Sequence, residues 1–192
     1  MKKKTTSLFV LDLNKFNTYC GIDEAGRGPL AGSLVFAGVI LKSNIEGLKD
    51  SKKLSEKRRE NLYEIIKKNS NWFIYEVNSQ KIDEIGLSKS IKEALEAIKK
   101  HFIGEKFLYD GNSSFGVSDI ETLVKADDKV ESVKAASILA KVYRDREMRK
   151  YAKEYPDYGF EKHKGYGTAK HIEAIKKYGL CPIHRKSFKL CK

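Results

Sequence analysis

The sequence predicts an α/β protein built on a mixed five-stranded sheet with helices on its faces. Three observations predict this fold class. Strand-like segments come first along the chain, strand-like and helix-like segments then alternate, and no linker rich in proline, glycine or serine interrupts the 192 residues. We expect a core over residues 1–150 and a C-terminal helical segment over residues 151–192 that packs on this core and forms one functional unit with it.

Five segments are rich in strand-forming residues and are bounded by turn-forming residues, as β-strands are. The first two are separated by a turn that contains glycine and proline, so we expect them to pair as a hairpin. The fourth is a short apolar run that ends at the turn signal Gly111-Asn112. The predicted strands are Tyr19–Asp23, Leu34–Leu41, Trp72–Val77, Phe107–Asp110 and Glu121–Val124.

Four helices are predicted from capping residues and from apolar side chains at helical spacing. The first begins after the N-cap Ser55, and the second spans Ser88–His101 with an apolar stripe along one face. The third spans Ser132–Lys150, and a short fourth helix begins after the N-cap Thr168 and stops at Gly179. In the third helix we expect the basic residues to face outward, namely Arg144, Arg146, Arg149 and Lys150.

The chain is strongly basic, with 38 lysine and arginine residues against 26 acids and a net charge of +12. Such an excess favours a polyanionic partner, either a nucleic acid or a lipid surface. The longest apolar stretch, Leu34–Leu41, is far shorter than the roughly 20 residues that a membrane-spanning helix needs. The sequence therefore excludes a protein that spans a membrane by an apolar helix, and charge alone does not choose the partner.

The start of the chain and its cysteines bear on location. The lysines at residues 2–4 precede an apolar run, Leu8–Leu11, that is too short for a signal peptide and lacks a cleavage site. Three cysteines without a framework spacing favour a reducing compartment over a disulfide scaffold. Cys181-x-x-His184 is half of a zinc pattern without a second half. We expect a cytoplasmic monomer with no membrane partner and a solvated N-terminal tail.

Acidic residues follow apolar runs at several strand ends, although the chain is basic. They are Asp23, Glu24, Asp110, Asp127 and Asp128. Carboxylates at adjacent strand ends repel one another, and a divalent cation is the simplest group that neutralises them. Asp23 and Glu24 can share such a site only if their strand ends there, because neighbours on a strand point to opposite faces. The alternative is that these acids are separate turn residues.

Other motifs favour contacts with phosphate, sugar or base. Gly26-Arg27-Gly28-Pro29 lets a ligand approach the backbone closely and offers amide donors beside an arginine, but it also fits a hairpin turn. Hydroxyls stand beside lysines at Ser51-Lys52 and at Ser137 and Lys141, which share a helix face. Tyr166, between two glycines, either presents its ring to a base or is a partly buried loop aromatic.

Together these motifs resemble one family, the type 2 ribonucleases H (ribonuclease HII). The matching segments occur in the family's order and cover about residues 19–188. They are GIDEAGRGPLAG (residues 21–32), DSKKL (50–54), YDG (109–111), KAD (125–127), AASILAKV (135–142), HKGYGT (163–168) and HRKSF (184–188). The related type 3 enzymes carry a lysine between the glycines of the first motif, so Arg27 favours type 2.

The resemblance implies a ribonuclease H-like fold and an endonuclease that cleaves RNA in RNA/DNA hybrids and at single ribonucleotides embedded in duplex DNA. The family's catalytic and metal-binding acids match Asp23, Glu24, Asp110 and Asp127. Residues that match its loop for the ribose 2′-hydroxyl, its stacking tyrosine and its other substrate contacts are Gly26, Arg27, Gly28, Lys52, Ser137, Lys141 and Tyr166. Asp128 is the alternative fourth acid, because the family's usual Lys-Gly-Asp is here Lys125-Ala126-Asp127.

The implied chemistry is phosphodiester hydrolysis with two Mg²⁺ or Mn²⁺ ions, one for the attacking hydroxide and one for the leaving 3′-oxygen. The products would carry 3′-hydroxyl and 5′-phosphate ends. The sequence does not choose between the metals, because both accept oxygen ligands. Two alternatives stay open: a basic protein that binds nucleic acid without catalysis, and a ribonuclease H-like nuclease of broader specificity. A phosphotransferase is set aside, because no Gly-x-x-x-x-Gly-Lys-Ser/Thr loop is present.

Overall fold

The computed structural model describes residues 18–189, and a five-stranded sheet lies at its centre. The strands are β1 (Cys20–Ala25), β2 (Leu34–Leu41), β3 (Ser70–Val77), β4 (Phe107–Asp110) and β5 (Ile120–Leu123). They lie in the order β3-β2-β1-β4-β5. β1 and β2 form the predicted antiparallel hairpin and β3 is antiparallel to β2, whereas β4 is parallel to β1 and β5 is parallel to β4. The predicted mixed five-stranded sheet is confirmed.

Within residues 18–189, six helices surround or follow the sheet. They are α1 (Glu56–Asn69), α2 (Ser79–Ile85), α3 (Leu87–His101), α4 (Glu131–Glu154), α5 (Phe160–His163) and α6 (Ala169–Tyr178). Short 3-10 turns lie at Ser51–Lys53, Ala126–Asp128 and Pro156–Tyr158. α4 packs along β1 and β2, and α5, α6 and the segment after α6 pack near its C-terminal half.

Most residues of the central strands β1 and β2 are buried. Their side chains alternate in direction, and helices cover both faces. On one face, Ile22 and Phe36 pack with Ile91, Leu95 and Ile98 of α3. On the other face, residues of β2 pack with α1 and α4; this cluster includes Val35, Ala37, Val39, Leu62, Ile66, Ala136 and Leu139. Each fully buried aliphatic side chain contributes about 1.5–3 kcal/mol relative to an exposed one, so these two cores hold the sheet between its helices.

The capping residues that the sequence indicates are confirmed. Oγ of Ser55 accepts a hydrogen bond from the backbone N–H of Arg58, and Oγ1 of Thr168 accepts one from the backbone N–H of His171, each at 3.3 Å. Gly179 ends α6 with a φ of 78°, a conformation that favours glycine.

Three features of the helices differ from the predictions, and one of them is that the four-residue α5 was not predicted. α2 was not predicted, because seven residues are too few to show a helical period; Asn78 caps it by accepting a hydrogen bond from the N–H of Lys81 at 2.8 Å. α4 begins one residue earlier than predicted and continues to Glu154, across the position at which we divide the chain into core and C-terminal segment. That division stays a prediction.

Arg144 was predicted to face outward, and this prediction is wrong. The residue is 1% exposed. Its Nε donates to the carbonyl oxygen of Ser33 and its Nη2 to that of Ala31, both at 3.0 Å. The guanidinium group therefore satisfies backbone carbonyls of the connection between β1 and β2. Arg146, by contrast, is exposed and pairs with Glu60 of α1.

No helix among residues 18–189 is both long enough and apolar enough to cross a membrane. Cys20 and Cys181 are free thiols. The predicted N-terminal tail, the Leu8–Leu11 run and Cys191 lie outside the described residues.

Candidate active site

Three aspartates meet near the C-terminal ends of β1, β4 and β5. Ile22 of β1 pairs in parallel with Tyr109 of β4, so the residues that follow them, Asp23 and Asp110, lie at the same edge. Asp127 belongs to the 3-10 turn that follows β5. One carboxylate oxygen of each aspartate lies within 4.8 Å of the others. We call Asp23, Asp110 and Asp127 the aspartate cluster.

Glu24 lies beside the aspartate cluster and on the opposite face of β1. We expected the strand to end at this point, but β1 continues through Ala25, so neighbouring side chains still alternate in direction. That expectation was wrong. Oη of Tyr109 donates to Oε2 of Glu24 at 2.8 Å, and Nη1 of Arg27 lies 3.6 Å from its Oε1. The charge of Glu24 is nevertheless close enough to raise the pKa of Asp23.

The aspartate cluster is a region of unfavourable negative charge. Burial raises the pKa of the Asp23 carboxyl well above its usual range, and the charges of Glu24 and Asp110 raise it further. Burial also raises the pKa of Asp110, and the charge of Asp127 adds to this shift. Several carboxylates held together in this way suit a hard divalent cation, which prefers oxygen ligands and favours their ionised form. The residues present therefore fit the predicted metal site.

Backbone groups fix the aspartates in place. The N–H of Ala126 donates to Oδ1 of Asp110 at 2.8 Å, which ties β4 to the turn that carries Asp127. The N–H of Glu24 donates to Oδ1 of Asp23 at 2.7 Å. Asp127 is buried at 5% exposure, whereas the neighbouring Asp128 forms an ion pair with Lys53 outside the cluster. The structure thus places Asp127, and not Asp128, with the other two aspartates.

Lys52 and Ser137 lie at the aspartate cluster, but Lys141 does not. Nζ of Lys52 is 3.5 Å from Oδ2 of Asp127. Ser137 is buried on α4, and its hydroxyl lies 2.8 Å from the hydroxyl of Ser51 and favours the ionised form of Asp23 through a hydrogen bond. Nζ of Lys141 instead pairs with Asp145, one helical turn further on, at 2.7 Å.

The loop Gly26-Arg27-Gly28 follows β1 directly and lies next to Glu24. Gly26 has a φ of 95°, and a Cβ at this position would lie 2.2 Å from Nε of Arg144, so the fold itself requires glycine there. Gly28 is different, because a Cβ built on it would meet no atom within 4 Å. Arg27 is exposed, and its guanidinium group lies 5.2 Å from the ring centroid of Phe115.

Tyr166 lies near this loop although about 140 residues separate them in the sequence. The N–H of Leu30 donates to the carbonyl oxygen of Gly165 at 2.8 Å, which joins the two segments. The side chain of Tyr166 is 47% exposed, and the buried guanidinium group of Arg144 lies 6.0 Å from its ring centroid. The structure therefore presents the tyrosine ring to solvent on the same side of the fold as the glycine loop.

Comparison with known proteins identifies the family of this chain. Residues 20–191 match the family model for ribonuclease HII. The ribonuclease HII of Sulfurovum sp. (strain NBC37-1) is 59% identical over 177 residues, which cover 92% of this chain and 94% of that protein. The chain belongs to the ribonuclease HII family.

Solved structures of ribonuclease HII relatives share the fold. A ribonuclease HII from Archaeoglobus fulgidus, solved in complex with PCNA, superposes with a TM-score of 0.76 at 30% identity and covers 91% of this chain and 96% of its own. The ribonuclease H2 of Pyrococcus horikoshii gives a TM-score of 0.73 at 30% identity, with 90% and 94% of the two chains covered. As a ribonuclease HII, the chain is a metal-dependent nuclease, an endoribonuclease that acts on RNA/DNA hybrids.

Sequence reasoning missed three residues that build this ribonuclease HII site. Tyr109 holds Glu24, and Arg144 supports the connection after β1. Arg185, which is 2% exposed, donates to the carbonyl oxygens of Gly26 at 2.6 Å, Arg27 at 3.2 Å and Gly32 at 2.8 Å. The motif that contains Arg185 was visible in the sequence, but no local signal indicates that a basic residue bonds to backbone more than 150 positions away.

Among the described residues, the Cys181-x-x-His184 pair does not belong to a zinc site. Among residues 18–189, the aspartate cluster is the one group of three metal-ligating side chains with suitably close ligand atoms. Both ring nitrogens of His184 are already hydrogen-bonded, since Nδ1 accepts from the N–H of Cys181 at 2.9 Å and Nε2 lies 3.0 Å from Nε2 of His171.

Proposed function

We propose that the chain cuts 5′ of single ribonucleotides embedded in duplex DNA, in addition to cutting the RNA strand of RNA/DNA hybrids. The products would carry 3′-hydroxyl and 5′-phosphate ends, and the enzyme would act in ribonucleotide excision repair as a cytoplasmic monomer. The observation that carries this proposal is the position of the Gly26-Arg27-Gly28 loop, which follows Asp23 and Glu24 after one intervening residue and exposes Arg27 and Gly28. The loop that would recognise the ribose thus lies beside the acids that would catalyse cleavage of the adjacent phosphodiester.

Asp23, Asp110 and Asp127 would hold two Mg²⁺ or Mn²⁺ ions. Glu24 would contribute from the edge of the cluster although it leaves β1 on the other face, because its carboxylate is close enough to interact with Asp23 and Asp110. When bound, the ions supply Lewis acidity for activation of water and for departure of the 3′-oxygen. The carboxyl groups must be ionised to serve as ligands, and their crowding opposes ionisation in the free protein. Tyr109 offsets part of this cost, because its hydroxyl donates to the carboxylate of Glu24 and so favours the charged form.

Selection of ribose over deoxyribose would occur at Gly28. The open space around this residue shows that the protein alone does not need glycine there, so the absence of a side chain leaves room for something else to approach. The 2′-hydroxyl is the atom group that distinguishes the two sugars. Because Arg185 already occupies the carbonyl oxygens of Gly26 and Arg27, the loop is held in place before any substrate binds.

Tyr166 and the basic side chains would complete substrate binding. The exposed ring of Tyr166 offers a surface on which a base or sugar at the junction between RNA and DNA stacks. Lys52 and Arg27, both exposed near the acids, would contact phosphates and make binding weaken as salt is raised. Ser137 would act through Asp23, and Lys141 would reach a phosphate only by leaving Asp145.

A matched pair of variants tests this proposal. The assay compares a DNA duplex that contains one ribonucleotide with an RNA/DNA hybrid and with an all-DNA duplex, in Mg²⁺ and in Mn²⁺. Asp127→Asn removes a charge from the aspartate cluster, and we expect cleavage to fall by about 100-fold or more. Asp128→Asn removes the neighbouring charge outside the cluster, and we expect cleavage within about twofold of the unmodified protein.

Three results would contradict the proposal in different ways. Binding of the duplexes without metal-dependent cleavage would favour a protein that only binds nucleic acid. Cleavage of the hybrid without cleavage at the single ribonucleotide would favour a nuclease with a different substrate preference. An equal loss of activity in Asp127→Asn and Asp128→Asn would overturn the assignment of Asp127 as the fourth acid.

A further inference from the structure

A chain of buried hydrogen bonds leads through two histidines to the backbone of Tyr166. His171 of α6 is 0% exposed and His184 is 2% exposed. Their Nε2 atoms lie 3.0 Å apart. At one end, the N–H of Cys181 lies 2.9 Å from Nδ1 of His184; at the other, Nδ1 of His171 lies 2.9 Å from the carbonyl oxygen of Tyr166. We call the two imidazoles the histidine pair.

The partners of the histidine pair define where its protons lie. Nδ1 of His184 lies 3.1 Å from Sγ and 3.2 Å from the carbonyl oxygen of Cys181, but the N–H of Cys181 is nearer, at 2.9 Å. A backbone N–H can only donate, so we assign no proton to Nδ1 of His184 and place the proton of this ring on Nε2. Nε2 of His171 must then accept, which leaves the proton of His171 on Nδ1, where it faces a carbonyl oxygen that can only accept. Both rings are neutral in this arrangement, consistent with burial, which lowers the pKa of each. Every hydrogen bond of the chain then has one donor and one acceptor.

The histidine pair fixes the backbone of Tyr166 and leaves its ring free. The N–H of Tyr166 donates to the carbonyl oxygen of His163 at 2.9 Å, and its carbonyl oxygen accepts from the N–H of Thr168 at 2.8 Å as well as from His171. His171 is thus the side chain that adds to the local backbone hydrogen bonds of Tyr166. His163 stacks on His171 with ring centroids 4.4 Å apart, which supports the same segment from the side. The ring of Tyr166, in contrast, is among the exposed large side chains.

We propose that His171 is a positioning residue that sets the orientation of the Tyr166 ring and thereby the preference for single ribonucleotides over continuous hybrids. This inference depends on the proposed function, since it assigns His171 a role in the selectivity of that site. A single ribonucleotide offers one junction for the tyrosine to engage, whereas a hybrid offers the loop and the acids many equivalent positions. A small misplacement of the ring should therefore slow cleavage at a single ribonucleotide and leave cleavage of a hybrid unchanged.

Two variants of His171 separate positioning from mere packing. In His171→Asn, the side-chain amide nitrogen stands at the same distance from the backbone as Nδ1 and keeps the donor to Tyr166. In His171→Gln, the amide stands at the distance of Nε2 and keeps the contact with His184 instead. We expect His171→Gln to lower kcat on the single-ribonucleotide duplex by about fivefold, the effect of one lost hydrogen bond, with KM little changed. His171→Asn should lose less than about twofold, and both should cut the hybrid normally.

The proton positions give a second test that needs no variant. Nitrogen chemical shifts of the ¹⁵N-labelled protein near neutral pH distinguish a protonated from an unprotonated ring nitrogen. We expect His171 to carry its proton on Nδ1 and His184 on Nε2. The reverse arrangement in either ring would overturn the inference, and so would equal selectivity of His171→Gln and the unmodified protein. Failure of the unmodified protein to cut at a single ribonucleotide would instead overturn the proposed function.

Discussion

Two buried polar regions flank the glycine loop, and their charges are satisfied in opposite ways. The aspartate cluster gathers carboxylates that raise one another's pKa, with Lys52 as a nearby cation. On the other side, Arg144 and Arg185 are buried guanidinium groups that donate to backbone carbonyls. Burial lowers the pKa of Arg185 to about 9, so it stays charged near neutral pH. We call Arg144 and Arg185 the arginine support.

The difference shows which region serves ligand binding and which serves the fold. A cluster of like charges is costly until a ligand neutralises it, so its residues are kept for binding and reaction. A buried cation whose donors are bonded to backbone stabilises the segment that supplies the carbonyls, and removing it leaves those carbonyls unsatisfied. We therefore expect substitutions in the aspartate cluster to reduce activity and substitutions in the arginine support to reduce stability.

The largest effect is expected for Asp23→Asn. The amide oxygen can still accept the hydrogen bond from the N–H of Glu24, but the charge is lost. Cleavage should fall by about 100-fold or more, while Tm without metal should rise because repulsion within the cluster is relieved. Added Mg²⁺ should raise Tm of the unmodified protein more than that of the variant. A lower Tm for Asp23→Asn without metal would contradict the contrast between the two regions.

The second effect is a loss of stability in Arg185→Met. Methionine keeps much of the side-chain volume but leaves the carbonyl oxygens of Gly26, Arg27 and Gly32 without their donor. We expect the free energy of unfolding in urea to fall by about 3 kcal/mol. The control is Arg149→Met, which removes a more exposed arginine that pairs with Glu60 and should cost less than about 1 kcal/mol. Equal losses would show that the arginine support contributes no more than a surface ion pair.

The two regions also differ in how well the sequence predicts them. The acids of the aspartate cluster follow short apolar runs, so their position in the C-terminal part of a strand or just after it can be predicted locally. Asp23 and Asp110 meet because their strands are parallel neighbours. The caps Ser55 and Thr168 are likewise local features. What local pattern could not show is that β1 continues past Asp23, which places Glu24 on the other face under the hydroxyl of Tyr109.

The arginine support could not be predicted, because its partners are backbone atoms far away in the sequence. Arg144 and Ser33 are 111 residues apart, and Arg185 and Gly26 are 159 apart. Helical periodicity assigns a charged residue such as Arg144 to the solvent face. The sequence does not show that the fold places backbone carbonyl oxygens next to this side chain. The histidine pair was also missed, because its role depends on hydrogen bonds between specific ring atoms that form only in the folded protein.

The third prediction concerns pH and compares the aspartate cluster with the histidine pair. Burial lowers the pKa of His171 from 6.5 to about 4, so between these values the unfolded chain binds a proton that the folded protein does not. The free energy of unfolding therefore falls as pH drops through this window, by about 2 kcal/mol near pH 5 for this residue. The raised pKa of Asp23 acts in the opposite direction, because the folded protein then binds its proton more readily.

Unfolding at pH values of about 7.5 and 5 separates these contributions. We expect His171→Asn to lose less stability on acidification than the unmodified protein, because it has no imidazole to protonate. Asp23→Asn should lose more, because it lacks the carboxyl that favours the folded state at low pH. Identical pH dependence in all three proteins would mean that neither buried group is coupled to folding.

The smallest effect on stability is expected at Gly28, and its comparison with Gly26 tests where the arginine support ends and substrate binding begins. Gly26 contacts the arginine support, and alanine there would place its Cβ 2.5 Å from the carbonyl oxygen of Ser33 at a φ of 95°. Gly26→Ala should therefore destabilise the protein. Gly28→Ala meets no protein atom and should change the free energy of unfolding by less than about 0.5 kcal/mol.

Activity should separate the same two variants in another way. We expect Gly28→Ala to slow cleavage at a single ribonucleotide by about tenfold, because the added methyl group occupies the space through which the ribose approaches. Denaturation curves and cleavage rates measured on the same preparations check both properties. If Gly28→Ala cut at the normal rate, the open space beside it would have no role in substrate binding, and selection of ribose would have to depend on Arg27 or on Tyr166.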